Sequence, residues 1–198
     1  MKQVIGILGL LFLLSCVGNT EWNKVEYNSN LSYPFFNEQS WDYPWYIIKN
    51  DDGSFSSTFN DAIVESDTVH LYHTAECATN HQGKHEVNYC SAYKKGDTLF
   101  LLFPPSLPAY WLNMEVKVIG NKFKAEASGV PFIPIWLEWK TINQQLTLTT
   151  DSYTIGDSIK GKCNFEFTEY VIGDTVKNNF YFSGVFKTVI EKFNEDVR

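Results

Sequence analysis

Between Ile159 and Phe167 the chain alternates without a break. Ile159, Gly161, Cys163, Phe165 and Phe167 fall on one side, and Lys160, Lys162, Asn164 and Glu166 on the other. Successive strand side chains point to opposite faces, so a sustained period of two specifies a strand with one buried and one wet face. Antiparallel sheets are built from such strands. Turn chemistry of the same kind recurs as Gly96-Asp97-Thr98, Gly156-Asp157-Ser158 and Gly173-Asp174-Thr175. There Gly supplies the left-handed position, Asp bonds its own backbone, and a hydroxyl residue opens the next strand. Further strands are expected at Trp22–Tyr27, Trp45–Ile48, Thr68–Thr74, His85–Tyr93, Thr98–Phe103, Trp111–Ile119, Lys122–Ala127 and Phe180–Ile190. Asp52-Gly53 and Gly120-Asn121 read as hairpin turns and Gly184 as a bulge. The best helical stretches, Thr58–Ser66 and Val189–Val197, are short. The pattern predicts an all-β chain, a single antiparallel β-sandwich or a partly closed barrel.

The N-terminus is of another kind. Lys2 precedes an uninterrupted apolar run, Val4–Leu14, which ends in Leu13-Leu14-Ser15-Cys16. As a helix this run rises roughly 17 Å, against a hydrocarbon core of ~30 Å, so it reads as a signal-peptide segment rather than a span. The ending resembles the lipobox of bacterial lipoproteins, and the resemblance covers residues 1–16. It implies cleavage before Cys16, a diacylglycerol on the Cys16 sulfur and acylation of the new amino group. Several acyl chains anchor a protein firmly where one does not. The resemblance implies a bacterial cell-envelope protein, with the outer membrane favoured because Val17, not Asp, follows the cysteine. Periplasmic and outward orientations both stay open. The expected division is a signal peptide over 1–15, lipidated Cys16 with a tether over 16–32 leading into the first strand, and a β domain over 33–198.

Charge narrows the partners. The net charge is −7, and the chain holds one arginine, Arg198, at its end. Nucleic acid is excluded, since it calls for a basic stripe. Without arginine forks in the body of the chain, phosphate ligands are disfavoured. No Gly-x-Ser-x-Gly, His-Glu-x-x-His or phosphate-binding glycine loop occurs. Ser91-Ala92-Tyr93-Lys94 spells Ser-x-x-Lys, but on a strand Ser91 and Lys94 face opposite ways. Asp51-Asp52-Gly53 lacks the ligand spacing of a calcium loop. The expectation is a non-enzymatic protein without a cofactor.

Two constellations remain. Aromatic residues make up 16% of the chain, with six Trp and eleven Tyr. Trp136 beside Glu138, and Trp41 with Trp45, have the make-up of a sugar-stacking platform and are the candidate ligand-binding residues. They serve equally as an apolar anchor for an envelope protein partner, or as rings folded over the ends of the sheet. The second constellation is His70, His73, Cys77, His81, His85 and Cys90. Cys77 and Cys90 are expected to form a disulfide across a loop in an oxidising compartment. The alternative is a zinc or copper site on His73, His81 and His85. Cys163, inward on its strand, is expected to be a buried thiol.

Overall fold

The computed structural model describes residues 21–37, 47–49, 55–57, 63–64, 74–104, 112–129, 137–171 and 177–193. Its strands are β1 (Asn23–Lys24), β2 (Glu26–Tyr27), β3 (Ile47–Lys49), β4 (Phe55–Ser57), β5 (Ile63–Val64), β6 (Ala75–Thr79), β7 (His85–Val87), β8 (Ser91–Lys95), β9 (Thr98–Phe103), β10 (Leu112–Ile119), β11 (Lys122–Gly129), β12 (Leu137–Leu148), β13 (Ser158–Val171) and β14 (Lys177–Lys192). One 3-10 turn spans Pro34–Asn37. The chain is all-β. Among the described residues no helix is long and apolar enough to cross a membrane.

The main sheet runs β1-β11-β10-β9-β8-β14-β13-β12-β2, with β6 on β14 and β7 on β6. Its two ends are halves of one segment, interrupted only at buried Val25. Asn23 and Lys24 stand opposite Phe123 and Lys122 of β11, and Glu26 and Tyr27 lie parallel to Thr147 and Leu148 of β12. The sheet is therefore nearly closed into a barrel. Gln144, itself buried, fastens the join. Its Oε1 accepts from the Ala125 amide at 2.8 Å, and its Nε2 donates to the Glu21 carbonyl and, at 3.2 Å, to Asn23 Oδ1. A separate small sheet of β3, β4 and β5 pairs Ile47 with Ser57 and Phe55 with Val64.

The alternation read in the sequence has its physical cause in the core. Leu99, Leu101 and Phe103 of β9, and Leu112, Met114, Val116 and Val118 of β10, point inward with every second residue half-exposed. On β13 the inward set is Ile159, Gly161, Cys163, Phe165 and Phe167, as expected. Phe165 faces Phe182 across the ladder with rings 6.3 Å apart, and Phe167 faces Phe180 at 5.2 Å. Such cross-strand aromatic pairs are the unit of sheet stabilisation. Gly161 stays a glycine because a Cβ there would lie 2.5 Å from Phe186 Cζ.

The hairpins at Gly96-Asp97 and Gly120-Asn121 form, with both glycines at positive φ. They close one end of the sheet. β9, β11 and β13 finish at the other end, beside the turn between β6 and β7.

Several expectations change. His85–Tyr93 is two strands broken at Asn88–Cys90, because Thr74 and Ala75 both donate to the Asn88 carbonyl there. Residues 63–64 and 189–192 are strand rather than helix. The strand expected at Thr68–Thr74 falls almost wholly outside the described residues. The strand expected at Trp22–Tyr27 forms as β1 and β2, and a strap over 28–37 follows it.

Gly184 is not a bulge in the β13–β14 ladder, whose register runs unbroken from Ser158–Val189 to Tyr170–Lys177. It is a point of close approach, since a Cβ there would meet the Glu76 carbonyl oxygen and lie 2.5 Å from Cys77 Cα.

The Cys77–Cys90 disulfide is also corrected. Cys77, Cys90 and Cys163 are free and buried. The residue opposite Cys77 on β7 is Val87, so the chain has passed the bridging position before it reaches Cys90. Cys77 instead looks across Gly184 toward Cys163, since both pair with Gly184 in register. Burial pushes the Cys77 thiol well above its ordinary pKa, and a hydrogen bond with Cys163 adds to this. Burial does the same to Cys90. Both thiols are protonated at neutral pH and are poor nucleophiles.

Candidate binding groove on the outer face of the sheet

β12, β13, β14 and β6 lie side by side, and their outward positions form cross-strand rows. One row is Gln145, Asn164, Ser183 and Ala78; the next is Thr147, Lys162, Val185 and Glu76. These residues face outward because Leu146, Cys163, Phe165 and Phe182, their sequence neighbours, are held in the core. The row therefore follows from the same alternation that builds the interior.

The strap shapes this face into a groove. Asn28 donates its amide to the Leu148 carbonyl at 2.9 Å, which launches the strap from the end of β12. Asn28 Oδ1 then accepts from the Asn30 amide, a side-chain turn. The strap's apolar residues Phe35 and Phe36 bury against Val185, with Leu31 and Tyr33 packed beside them. Three lysines of the face lie under its rings: Lys187 Nζ is 4.8 Å from the Phe35 centroid, Lys160 5.7 Å from Phe36 and Lys162 5.7 Å from Tyr33. A cation over an aromatic face is attracted by the ring quadrupole, while the lysine stem covers apolar surface.

The resulting groove has a volume of about 460 Å³ and is lined by Tyr33, Glu76, Gln145, Lys162, Asn164 and Ser183, over a floor at Cys163, Gly184 and Val185. Gln145, Asn164 and Ser183 offer side chains that hydrogen-bond to no described residue. The groove thus presents two primary amides, a hydroxyl, one carboxylate, one ammonium and one phenol ring. The amides and hydroxyl both donate and accept. All but Tyr33 stand on strands, which hold them in fixed order.

A second groove of about 430 Å³ lies on the outer face of β8, β9 and β10, between Tyr93, Glu115 and Phe193. Its rings are already engaged. Tyr93 stacks on Phe100 at 4.7 Å and meets Phe193 at 5.0 Å, and Lys95 Nζ sits over Phe193 at 4.4 Å.

The histidine cluster takes a form that was not expected. His81 Nε2 and Glu169 Oε2 are 2.7 Å apart with both side chains buried, and Trp139 Nε1 donates to the same oxygen at 3.0 Å. His81 also lies 4.6 Å from the Phe180 ring, and its amide donates to Thr79 Oγ1. The cluster ties the turn after β6 to β12 and β13. Among the described residues no three His, Cys, Asp or Glu side chains gather as a metal site. His85 is half-buried at the start of β7, and His73 lies outside the described residues.

Of the expected platform, Glu138 is exposed on β12 opposite Tyr170. Trp136, Trp41 and Trp45 lie outside the described residues, as does Cys16. Sequence reasoning put Asn164 and Lys162 on the wet face, but it missed Gln145, Ser183 and Tyr33. Those join the site only through the register of β12 and β14 and the fold of the strap, and no local signal carries that information. Comparison with family models, with curated proteins and with solved structures finds no match to this chain.

Proposed function

We propose that this protein is a lipid-anchored lipoprotein of the bacterial cell envelope, with the outer membrane favoured, and that its β domain binds a ligand rather than transforming one. The lipobox-like residues 13–16 support the anchor. The observation that carries the binding reading is the groove under the strap, in which unengaged amide and hydroxyl groups are held on adjacent strands beside the Tyr33 ring. Such groups recognise a ligand by hydrogen bonding and ring contact. The buried thiols, held protonated, do not supply a nucleophile. The domain is read as a partly closed barrel rather than two stacked sheets, with its ligand on the outside because the interior is filled by phenylalanines.

The ligand classes are a glycan or an envelope protein partner. Trp136, Glu138, Trp41 and Trp45 are a second set on which either could dock. Fractionation of cells expressing the full chain tests the anchor. The protein is expected in the outer-membrane fraction with an acylated Cys16 as its mature N-terminus, and Cys16→Ala is expected to release it. A soluble wild-type protein cleaved elsewhere would remove the anchor from the account.

A further inference from the structure

The chemistry of the groove narrows its ligand, on the footing that the domain is a binding module. The central row, Gln145–Asn164–Ser183, crosses three hydrogen-bonded strands. Neighbouring strands are spaced about 4.8 Å apart, so the row is roughly 10 Å long. That matches the length of about two pyranose rings. The row carries no charge. The one carboxylate and one ammonium lie in the next row, at Glu76 and Lys162, and Lys162 is drawn over the Tyr33 ring. An acidic polymer would meet Glu76 and the exposed Glu166 on either side of the row. A protein partner would call for an apolar centre, and this centre is made of amides. A primary amide can donate to one hydroxyl and accept from its neighbour, which fits adjacent hydroxyls of a sugar. Tyr33, half-buried and fixed edge-on against Phe36 at 5.6 Å, stands as a wall against which the apolar face of a ring can rest.

We propose that the groove binds an uncharged oligosaccharide laid across β12, β13 and β14, with Gln145, Asn164 and Ser183 hydrogen-bonding its hydroxyls and Tyr33 packing on a sugar ring.

The test uses the full chain in detergent. It is titrated with neutral hexasaccharides of glucose, mannose and N-acetylglucosamine, and with a hexamer of galacturonate. At least one neutral hexasaccharide is expected to bind, the galacturonate hexamer is not, and affinity is expected to rise from mono- to disaccharide and then level off. Asn164→Asp and Tyr33→Ala are each expected to weaken binding tenfold or more. Asn164→Asp is close to isosteric on the outer face, and an unchanged melting curve verifies its fold. Neutral binding indifferent to both variants overturns the proposal, as does tighter binding of the galacturonate hexamer. If binding is instead lost only with Trp136→Ala or Trp45→Ala, the groove is wrong and the binding-module reading stands. If no sugar binds but a defined envelope protein cross-links to the domain, the ligand class is wrong. If neither occurs, both readings fall.

Discussion

Replacing Gln144 with alanine should unfasten the join of the sheet. The side chain is buried at 5% exposure and makes three hydrogen bonds, one from the Ala125 amide and two to the N-terminal segment at Glu21 and Asn23. Each buried bond contributes on the order of 1 kcal/mol net, and a buried amide left without an acceptor costs about 1–3 kcal/mol. Ala125 has no exposure, so water does not replace the lost acceptor without local opening. The two lost bonds to the N-terminal segment and the orphaned Ala125 amide together cost roughly 3–5 kcal/mol, a large part of the ~5–15 kcal/mol that holds a typical domain together. The loss should be local before it is global. The amides of Val25 and Asn28, bonded to the Asn121 and Leu148 carbonyls, should lose protection in hydrogen exchange before those of β13. Denaturant titration should show a lower midpoint at unchanged slope. Gln144→Glu keeps an acceptor for Ala125 but loses the donor to Glu21, so it should fall between wild type and Gln144→Ala. A Gln144→Ala loss under about 0.5 kcal/mol, with Val25 and Asn28 still protected, would refute the assignment of Gln144 as the fastener.

Other expectations follow from single contacts. Gly161→Ala places a methyl against Phe186 and Leu148 and should destabilise by about 1–3 kcal/mol, read from the same titration. His81→Leu leaves buried Glu169 with its Trp139 contact and without its closest partner, and should lower stability by about 3–5 kcal/mol; a neutral result would mean the pair is not formed. Burial opposes ionisation of Glu126, but hydrogen bonds from Lys117 and Lys124 outweigh it and hold the carboxyl below its usual value. The resulting stabilisation is present above the ordinary carboxylate range and is lost as pH falls through the lowered value. Because Glu126 is 36% exposed and screened, Glu126→Gln should remove no more than ~1 kcal/mol at neutral pH and nothing well below pH 3. Thiol titration of the native protein should find Cys77, Cys90 and Cys163 unreactive until denaturant is added, whereas a disulfide would leave fewer thiols after unfolding without reductant.

The strands that alternate strictly were readable because burial acts on every second residue within one stretch of chain, as at Ile159–Phe167. Hairpin partners such as β10 and β11 were readable for a related reason, since Gly120-Asn121 fixes their register locally. What the sequence did not reveal depends on strands far apart in the chain. Glu169 is 88 residues from His81, and nothing near either names the other. Cys77 seemed to belong with Cys90 by proximity, whereas the register brings it beside Gly184 and toward Cys163. The N-terminal strand at Trp22–Tyr27 was legible, but its partners were not. It is held in the sheet by a ladder on each side and by Gln144, which required a folded β12 to find. The groove is of the same kind. Each of its residues is an ordinary wet-face residue, and only the pairing of three strands sets their amides and hydroxyl in one row.

The most direct test of that row is to watch its side-chain amides by nitrogen-resolved NMR while a neutral oligosaccharide is added to the full chain in detergent. The account predicts that the Gln145 and Asn164 side-chain resonances move together and saturate, while the Trp139 indole, bonded to Glu169, stays in place. Shifts confined to Trp139 and the neighbouring residues 130–138, with Gln145 and Asn164 unmoved, would contradict it.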